Sequence, residues 1–134
     1  METLTLQYDI PLLYITASSF PAGIAAAHQH LQALVPFSAE RKYFGLSRPE
    51  NGVIAYKAAA EEIIKGEAAQ LHCDSLTLQK GKYICLAIQD YATDIQRIEH
   101  AFKELLEHPG LDPQGYCVEC YAGKDVTCMI RLQQ

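Results

Sequence analysis

Glu119 lies in a stretch of residues that otherwise favours a β-strand, and a carboxylate in that setting could do chemistry. The stretch is Gly-Tyr-Cys-Val-Glu-Cys-Tyr-Ala-Gly, residues 115–123. Side chains alternate between the two faces of a strand, so Glu119 shares its face with Cys117 and Tyr121. Either this face is wet and Glu119 is an ordinary surface acid, or the face lines a cavity. In a cavity a carboxylate is costly to ionise without a partner.

The cysteines do not predict a metal site or a redox pair. Their number, five, is odd, and the sequence shows no secretory signal, so we expect reduced thiols in a cytoplasm. Cys117 and Cys120 match a C-x-x-C pattern, but on a strand they point to opposite faces. A structural zinc site would require a second such pair, which the sequence lacks. We therefore expect no metal, no cofactor and a cytoplasmic location.

The composition favours one globular domain, residues 1–134, and argues against nucleic acid or a membrane as a partner. Hydrophobic residues make up 49% of the chain and charged residues 20%, which suits a single packed core. The net charge of −5 and the scattered basic residues argue against direct nucleic-acid binding. The apolar run Ile10–Ile15 is too short to span a membrane.

Common catalytic motifs are absent, and the five histidines do not form a set. The sequence contains no G-x-S-x-G, P-loop, dinucleotide-binding glycine fingerprint or H-E-x-x-H pattern. His28 and His30 are two positions apart on a predicted helix and point in different directions. We expect the histidines to be solvated or structural.

Two helices are predicted from apolar residues at helical spacing. The later helix begins with a capping box from Thr93 to Gln96, and the earlier one begins near Pro21. Their apolar stripes superimpose when Ile24 is placed on Ile95. The stripes consist of Ile24, Ala27, Leu31, Leu34 and Val35 in the first helix, and of Ile95, Ile98, Phe102, Leu105 and Leu106 in the second.

A predicted strand precedes each helix and a predicted hairpin follows it. The two hairpins superimpose without a gap when Tyr43 is placed on Tyr116 and Val53 on Val126. An additional strand is predicted near the N-terminus, and the bridge from Glu61 to Leu78 is less regular. The predicted strands are Thr3–Tyr8, Leu12–Ala17, Tyr43–Arg48, Val53–Ala58, Tyr83–Gln89, Tyr116–Tyr121 and Val126–Leu132.

This order predicts an α+β fold with a duplicated β-α-β-β repeat, repeat one covering about residues 1–60 and repeat two about 76–134. Each repeat would form a small antiparallel sheet with one helix. Pairing the two sheets about a pseudo-twofold axis would leave a central ligand cleft. In the superposition of the hairpins Glu119 corresponds to Leu46, so that one half supplies a carboxylate and the other a hydrocarbon.

The residues from Gly115 to Tyr121, followed by Val126–Leu132, resemble the end of the GyrI-like family, the effector-binding domains of multidrug-responsive bacterial regulators. Members carry an aromatic-or-apolar, x, Glu, x, Tyr pattern on this strand. Lys80-Gly-Lys-Tyr83 and Tyr43-Phe-Gly45 are also similar to theirs, and the resemblance covers nearly the whole chain. It implies an aromatic-lined pocket in which one acidic residue takes the positive end of a lipophilic, often cationic ligand.

By position, the resemblance implies that Glu119 is this acidic residue, with Tyr121 beside it. A cation stabilises a buried carboxylate in its charged form, and aromatic faces add cation–π attraction. Alternation along the strands suggests four further aromatic residues as pocket walls, although each could equally be core. These residues are Tyr43, Phe44, Tyr56 and Tyr83.

Three functions follow from the resemblance. The chain has no helix-turn-helix segment, so we expect it to bind a small lipophilic or cationic molecule rather than to regulate transcription by itself. The alternative is a hydrolase of strained-ring, cyclopropane-type DNA-alkylating compounds, with Glu119 as general base and a tyrosine, Tyr121 first, polarising the substrate. The third is a module that binds a protein partner, as the gyrase-inhibiting members do. The oligomeric state is open.

Overall fold

Eight antiparallel strands form one curled sheet, and the helices lie against it. The computed structural model describes residues 1–134. The strands are β1 (Glu2–Leu6), β2 (Ile10–Thr16), β3 (Tyr43–Glu50), β4 (Val53–Glu61), β5 (Asp74–Leu78), β6 (Gly81–Ile88), β7 (Cys117–Ala122) and β8 (Asp125–Arg131). The helices are α1 (Ile24–Leu34), α2 (Glu67–Gln70) and α3 (Gln96–Leu105), with one 3-10 turn at Tyr91–Thr93. The predicted α+β class is confirmed.

The strands follow one another in the order β1-β6-β8-β7-β3-β4-β2-β5, so the two halves of the chain meet where β7 pairs with β3. The prediction of two separate small sheets is therefore wrong. Two separate sheets would leave the facing edges of β3 and β7 with unpaired N–H and C=O groups, and joining them satisfies both edges. The strand order reads the same from either edge when β1–β4 are exchanged for β5–β8, but the sequence repeat stays a prediction.

The predicted correspondence between Glu119 and Leu46 is wrong. Leu46 is fully buried on one face of the sheet, whereas Glu119 lies on the other face. The two hairpin turns superimpose when Glu50 is placed on Ala122 and Val53 on Asp125, which places Ser47 on Glu119. The predicted superposition is one position out of this register, and such a slip moves every side chain to the opposite face.

Both long helices cover the same face of the sheet. α1 packs on β2 and β4, and α3 packs on β6 and β8. The apolar residues between α1 and the sheet include Leu13, Leu31 and Ala58, and those under α3 include Leu105 and Val126.

The opposite face carries no helix, and its side chains bury one another because the sheet curls around them. Its core consists of Leu12, Phe44, Leu46, Ala59, Leu78, Tyr83, Cys85, Val118 and Met129. None of the helices has the length and hydrophobicity that crossing a lipid bilayer requires.

Both long helices begin later than the sequence predicts. α1 begins at Ile24 rather than near Pro21, and α3 begins at Gln96. The predicted capping box at Thr93 is not formed, because Thr93 belongs to the preceding 3-10 turn and its hydroxyl donates to the carbonyl of Asp90.

The bridge between the two halves contains α2 and the edge strand β5, which was not predicted. A buried ion pair fixes α2 to the start of β3. The guanidinium of Arg41 donates two hydrogen bonds of 2.8 Å to the Glu67 carboxylate and a third to the carbonyl oxygen of Glu61. These bonds to the Arg41 guanidinium hold the pKa of Glu67 below its usual range.

The buried ion pair leads to a prediction about stability. Glu67→Ala should lower the free energy of unfolding by about 3–5 kcal/mol, because it leaves the Arg41 guanidinium buried without its carboxylate. The control Glu99→Ala removes the exposed partner of Lys103 and should change it by less than about 0.5 kcal/mol. Urea denaturation followed by circular dichroism measures both variants.

The same ion pair makes the free energy of unfolding depend on pH. Because the pKa of Glu67 is lower in the folded chain than in the unfolded chain, its stabilisation is present above the unfolded pKa and is lost as the pH falls through the folded pKa. The stability difference between wild type and Glu67→Ala should therefore shrink in acid. A small loss at neutral pH, equal to that of Glu99→Ala, would contradict the role of the pair.

Candidate ligand-binding site

Glu119 lies at the centre of the sheet, on the face that carries α1 and α3. It pairs with Gly45 of β3 on one side and with Cys128 of β8 on the other. Its side chain is half-buried, and the hydroxyl of Tyr121 donates a short hydrogen bond to Oε1. Oε2 has no hydrogen-bond partner in the protein and is not among the fully buried polar atoms, so it keeps contact with solvent.

No cationic side chain neutralises Glu119. The structure contains five ion pairs, and none of them includes this carboxylate. Burial raises the pKa of Glu119, and the hydrogen bond from Tyr121 offsets part of that rise. This environment therefore disfavours the ionised form of the carboxylate, and a positively charged ligand beside it would stabilise that form.

Hydrogen bonds connect Glu119 to α1 through two tyrosines. The Tyr121 hydroxyl lies 3.3 Å from the Tyr56 hydroxyl, which in turn lies 2.8 Å from Nε2 of His28. Burial, and next the charge of Glu119, raise the pKa of both tyrosines, and burial lowers the pKa of His28. Both phenols are therefore protonated and the imidazole is neutral at pH 7.

Gly45 provides the space through which Tyr56 reaches this group. A Cβ atom at Gly45 would overlap the Tyr56 hydroxyl, and it would lie 2.9 Å from Cζ of the same ring and 3.2 Å from Oε1 of Glu119. Because Gly45 is the cross-strand partner of Glu119, any side chain there would separate Tyr56 from Tyr121. A glycine is required at this point for a steric reason.

Aromatic rings surround the hydrogen-bonded group. The imidazole of His28 packs edge-on against Tyr56 and Tyr121, with ring centroids 5.7 Å apart in each case. Tyr91 packs against Tyr121 at 5.6 Å, and the half-exposed ring of Phe20 stacks on Tyr56 at 6.2 Å. Two cavities, of about 470 and 210 Å³, lie elsewhere, around Arg48 and Gln114.

Of the predicted site residues, the structure brings Tyr56 and Tyr121 next to Glu119. Tyr43 lies on the same face and pairs with Tyr121, but its hydroxyl accepts a hydrogen bond from the Ser38 N–H and its ring stacks on Phe37. Tyr43 therefore stands at the margin of the group.

Phe44 and Tyr83 do not lie near Glu119. Both belong to the buried cluster on the helix-free face, where the Tyr83 hydroxyl donates to the carbonyl of Gln79. Phe44 follows Tyr43 directly, so alternation along β3 turns it to the opposite face. The sheet separates these two predicted wall residues from the carboxylate.

Three residues of the group were not predicted as site residues: Phe20, His28 and Tyr91. A signal for two of them exists in the sequence, because the superposition that places Ile24 on Ile95 also places Phe20 on Tyr91. In the sequence, Phe20 lies between β2 and α1, and Tyr91 lies between β6 and α3. His28 carries no comparable signal.

The cysteines near Glu119 are neutral thiols. Cys117 packs against the cluster under α3 and Cys120 against the cluster on the other face, which confirms that they point to opposite faces. Burial, and next the charge of Glu119, raise the pKa of Cys117 to about 11 and that of Cys128 to about 12. The structure shows no group of three or more side chains placed to hold a metal ion.

No protein-family description and no curated protein matches the sequence, whereas several solved structures match the fold. SAV2435 bound to tetraphenylphosphonium has a TM-score of 0.69 at 15% identity, over 98% of this chain and 93% of that one. A candidate transcription regulation protein from Staphylococcus aureus MU50 has a TM-score of 0.63 at 16% identity, over 99% and 97%. A hydrolase from Listeria innocua has a TM-score of 0.60 at 6% identity, over 98% and 90%. The chain shares the fold of these proteins.

The close approach at Gly45 leads to a second prediction. Gly45→Ala should lower the free energy of unfolding by about 1–3 kcal/mol, because the added methyl group overlaps the buried Tyr56 hydroxyl. Adding Tyr56→Phe should recover part of this loss, since it removes the overlapping oxygen. Adding Tyr83→Phe, which removes a hydroxyl from the opposite face, should recover nothing. Denaturant unfolding of wild type and these three variants tests this, and equal effects of the two tyrosine changes would contradict the steric explanation.

Proposed function

We propose that this protein is a GyrI-like effector-binding domain that binds a small lipophilic cation between α1 and α3, with Glu119 as its counter-ion. The observation that carries the proposal is a half-buried carboxylate that has no cationic partner and is surrounded by aromatic rings. A cation restores the charge balance at Glu119, and rings of Tyr and Phe attract it through their faces. A water molecule in place of the cation would neither balance the charge of Glu119 nor be attracted in the same way to the faces of the rings.

The arrangement of hydrogen bonds supports this proposal. Tyr121 occupies Oε1 of Glu119, so Oε2 remains available to a ligand. Tyr56, Tyr121 and Tyr91 would form the walls, and Phe20, which is 45% exposed, would move aside or close over the ligand.

The comparisons support the proposed chemical class of ligand. Tetraphenylphosphonium, to which SAV2435 is bound, is a phosphorus cation that carries four phenyl groups, and SAV2435 shares this fold over nearly the full length of both chains. The Staphylococcus aureus protein supports a link to regulation. With a net charge of −5, this chain would act on a small molecule in the cytoplasm rather than contact nucleic acid.

Tetraphenylphosphonium is the probe for this proposal. Glu119→Gln should weaken its binding by about 1.5–3 kcal/mol, roughly 10- to 150-fold, because glutamine keeps the shape and loses the charge. The control Glu104→Gln makes the same charge change at an exposed position of α3 and should leave the affinity unchanged. Isothermal titration calorimetry measures both. Equal affinities for wild type and Glu119→Gln would mean that Glu119 does not hold the cation.

Two further measurements extend this test: binding of the neutral compound triphenylphosphine oxide, and binding of the cation across a range of pH. Wild type should prefer the cation to the neutral compound, and Glu119→Gln should lose most of that preference. Because the pKa of Glu119 is raised, cation binding should strengthen as the pH rises through this pKa and then level off. The profile of Glu119→Gln should be flat over the same range.

Hydrolysis of a strained-ring substrate is the second candidate function, because a carboxylate and two phenol hydroxyls meet in one small volume. Glu119 could remove a proton from water while Tyr121 or Tyr56 donates one to the substrate carbonyl. That a hydrolase from Listeria innocua shares the fold supports testing it.

Tyr121→Phe discriminates between the two functions. An enzyme should lose turnover more than affinity, because the hydroxyl acts mainly in the transition state. A binding protein should retain its affinity for tetraphenylphosphonium within about threefold, because the ring stays in place. Product formation from a cyclopropane-type substrate, followed by mass spectrometry, measures turnover, with Glu119→Gln as the inactive control. Wild-type turnover that Glu119→Gln abolishes would overturn the proposal of a pure binding protein.

A further inference from the structure

The hydrogen-bonded group at Glu119 ends on a histidine of α1. Four side chains from three elements lie in one line: Glu119 and Tyr121 of β7, Tyr56 of β4 and His28 of α1. Tyr121 and Tyr56 each hydrogen-bond to the two members beside them, and no further side-chain hydrogen bond branches from the line. The two phenols each have one proton to donate, so the direction of every bond depends on its neighbours.

An ionised Glu119 fixes the direction of the first hydrogen bond and favours one direction for the whole line. A carboxylate only accepts hydrogen bonds, so Tyr121 must give its one proton to Glu119. The Tyr121 oxygen can then accept the proton of Tyr56. The Tyr56 oxygen is left as an acceptor, and His28 satisfies it only if the imidazole carries its proton on Nε2.

A protonated Glu119 permits the reverse direction. Its O–H would donate to Tyr121, Tyr121 to Tyr56, and Tyr56 to an unprotonated Nε2, which places the histidine proton on Nδ1. The tautomer of His28 and the charge of Glu119 are therefore coupled, although the two residues do not touch.

No other basic side chain contacts the line, so none could take the place of His28 at its end. The titratable groups that face Glu119 or its line are the thiols of Cys117 and Cys128, the phenols of Tyr56 and Tyr121, and the Tyr91 ring against Tyr121. His28 is the one basic side chain among them, and Gly45 contributes none.

We propose that His28 is a positioning residue of the cation site: through Tyr56 and Tyr121 it completes a line of hydrogen bonds that all point towards Glu119 and so favours the charged carboxylate that selects cations over neutral ligands. This inference rests on the proposed function for its ligand, but the hydrogen-bond line itself can be tested without one.

The first experiment uses ligand-free protein. Nitrogen NMR shifts of the His28 ring, recorded above the Glu119 midpoint, should show a neutral imidazole protonated on Nε2. Carbon NMR of the Glu119 carboxyl gives that midpoint, and His28→Phe should raise it by about 0.5–1 pH unit, because the line loses its terminal donor. His28→Gln, whose amide can donate to Tyr56, should restore most of the wild-type value. His30→Phe, at an exposed position of the same helix, is the matched control and should change nothing.

Tyr56→Phe removes the middle of the line and leaves His28 in place. It should raise the Glu119 midpoint at least as much as His28→Phe does, and the double variant should show no further rise, because both changes interrupt the same line. An unprotonated Nε2 beside an ionised Glu119 would overturn the inference, since Tyr56 would then donate to His28 and the line would be broken between the tyrosines. Additive shifts in the double variant would overturn it as well.

The second experiment uses tetraphenylphosphonium and triphenylphosphine oxide. Below the Glu119 midpoint, His28→Phe should weaken binding of the cation relative to binding of the neutral compound by about 3- to 10-fold, the change that the shifted midpoint requires. Failure of wild type to bind the cation would reject the proposed function, and the NMR results would still decide the role of His28. Binding that depends on Glu119 but has the same pH profile in wild type and His28→Phe would reject this inference alone.

Discussion

The pairing of Gly45 with Glu119 is the contact on which the rest of the structure depends. It lies at the middle of the β3–β7 pair that joins the two halves into one sheet. Because one partner has no side chain, the phenol of Tyr56 extends over β3 and meets Tyr121 above the carboxylate. A side chain at Gly45 would close this path. The same two residues therefore belong both to the strand pairing that joins the sheet and to the polar group on its surface.

Keeping a carboxylate at this point opposes folding. Burial disfavours the charge of Glu119, and one hydrogen bond from Tyr121 contributes only about 1.5–3 kcal/mol in return. The apolar clusters on both sides of the sheet offset this cost, since the flanking Val118 and Cys128 are fully buried. A cation that binds only the folded chain would add to its stability by mass action. The energetic cost of the carboxylate is thus of the kind expected at a functional site rather than in a core.

The sequence predicted the positions that depend on alternation within one strand and missed those that depend on register between strands. Glu119 and Tyr121 share a face because they are two positions apart on β7. Phe44 and Tyr83 were placed with them incorrectly, because only the pairing between strands shows which faces meet: β3 with β7 for Phe44, and β6 with β8 and β8 with β7 for Tyr83. The edge strand β5 was missed although Leu-Thr-Leu-Gln occurs at both 4–7 and 76–79, in the two edge strands of the sheet. His28 was not predicted as a site residue, because its hydrogen-bond partner, Tyr56, lies 28 positions away in the sequence.

The two halves contribute different side chains to the hydrogen-bonded group around Glu119. The second half supplies the acid and its first hydrogen-bond donor, Glu119 and Tyr121, both on β7. The first half supplies Tyr56 of β4 and His28 of α1, which hold that donor in place, and Gly45 of β3, which leaves space for Tyr56. In strand order the halves are alike, yet neither contains the whole hydrogen-bonded group. A symmetric pair of identical halves would bring two carboxylates to the centre of the sheet, and their mutual repulsion would raise the pKa of at least one of them. Ser47 stands at the position that corresponds to Glu119 when the turns are superimposed, so a single carboxylate lies at the centre of the sheet.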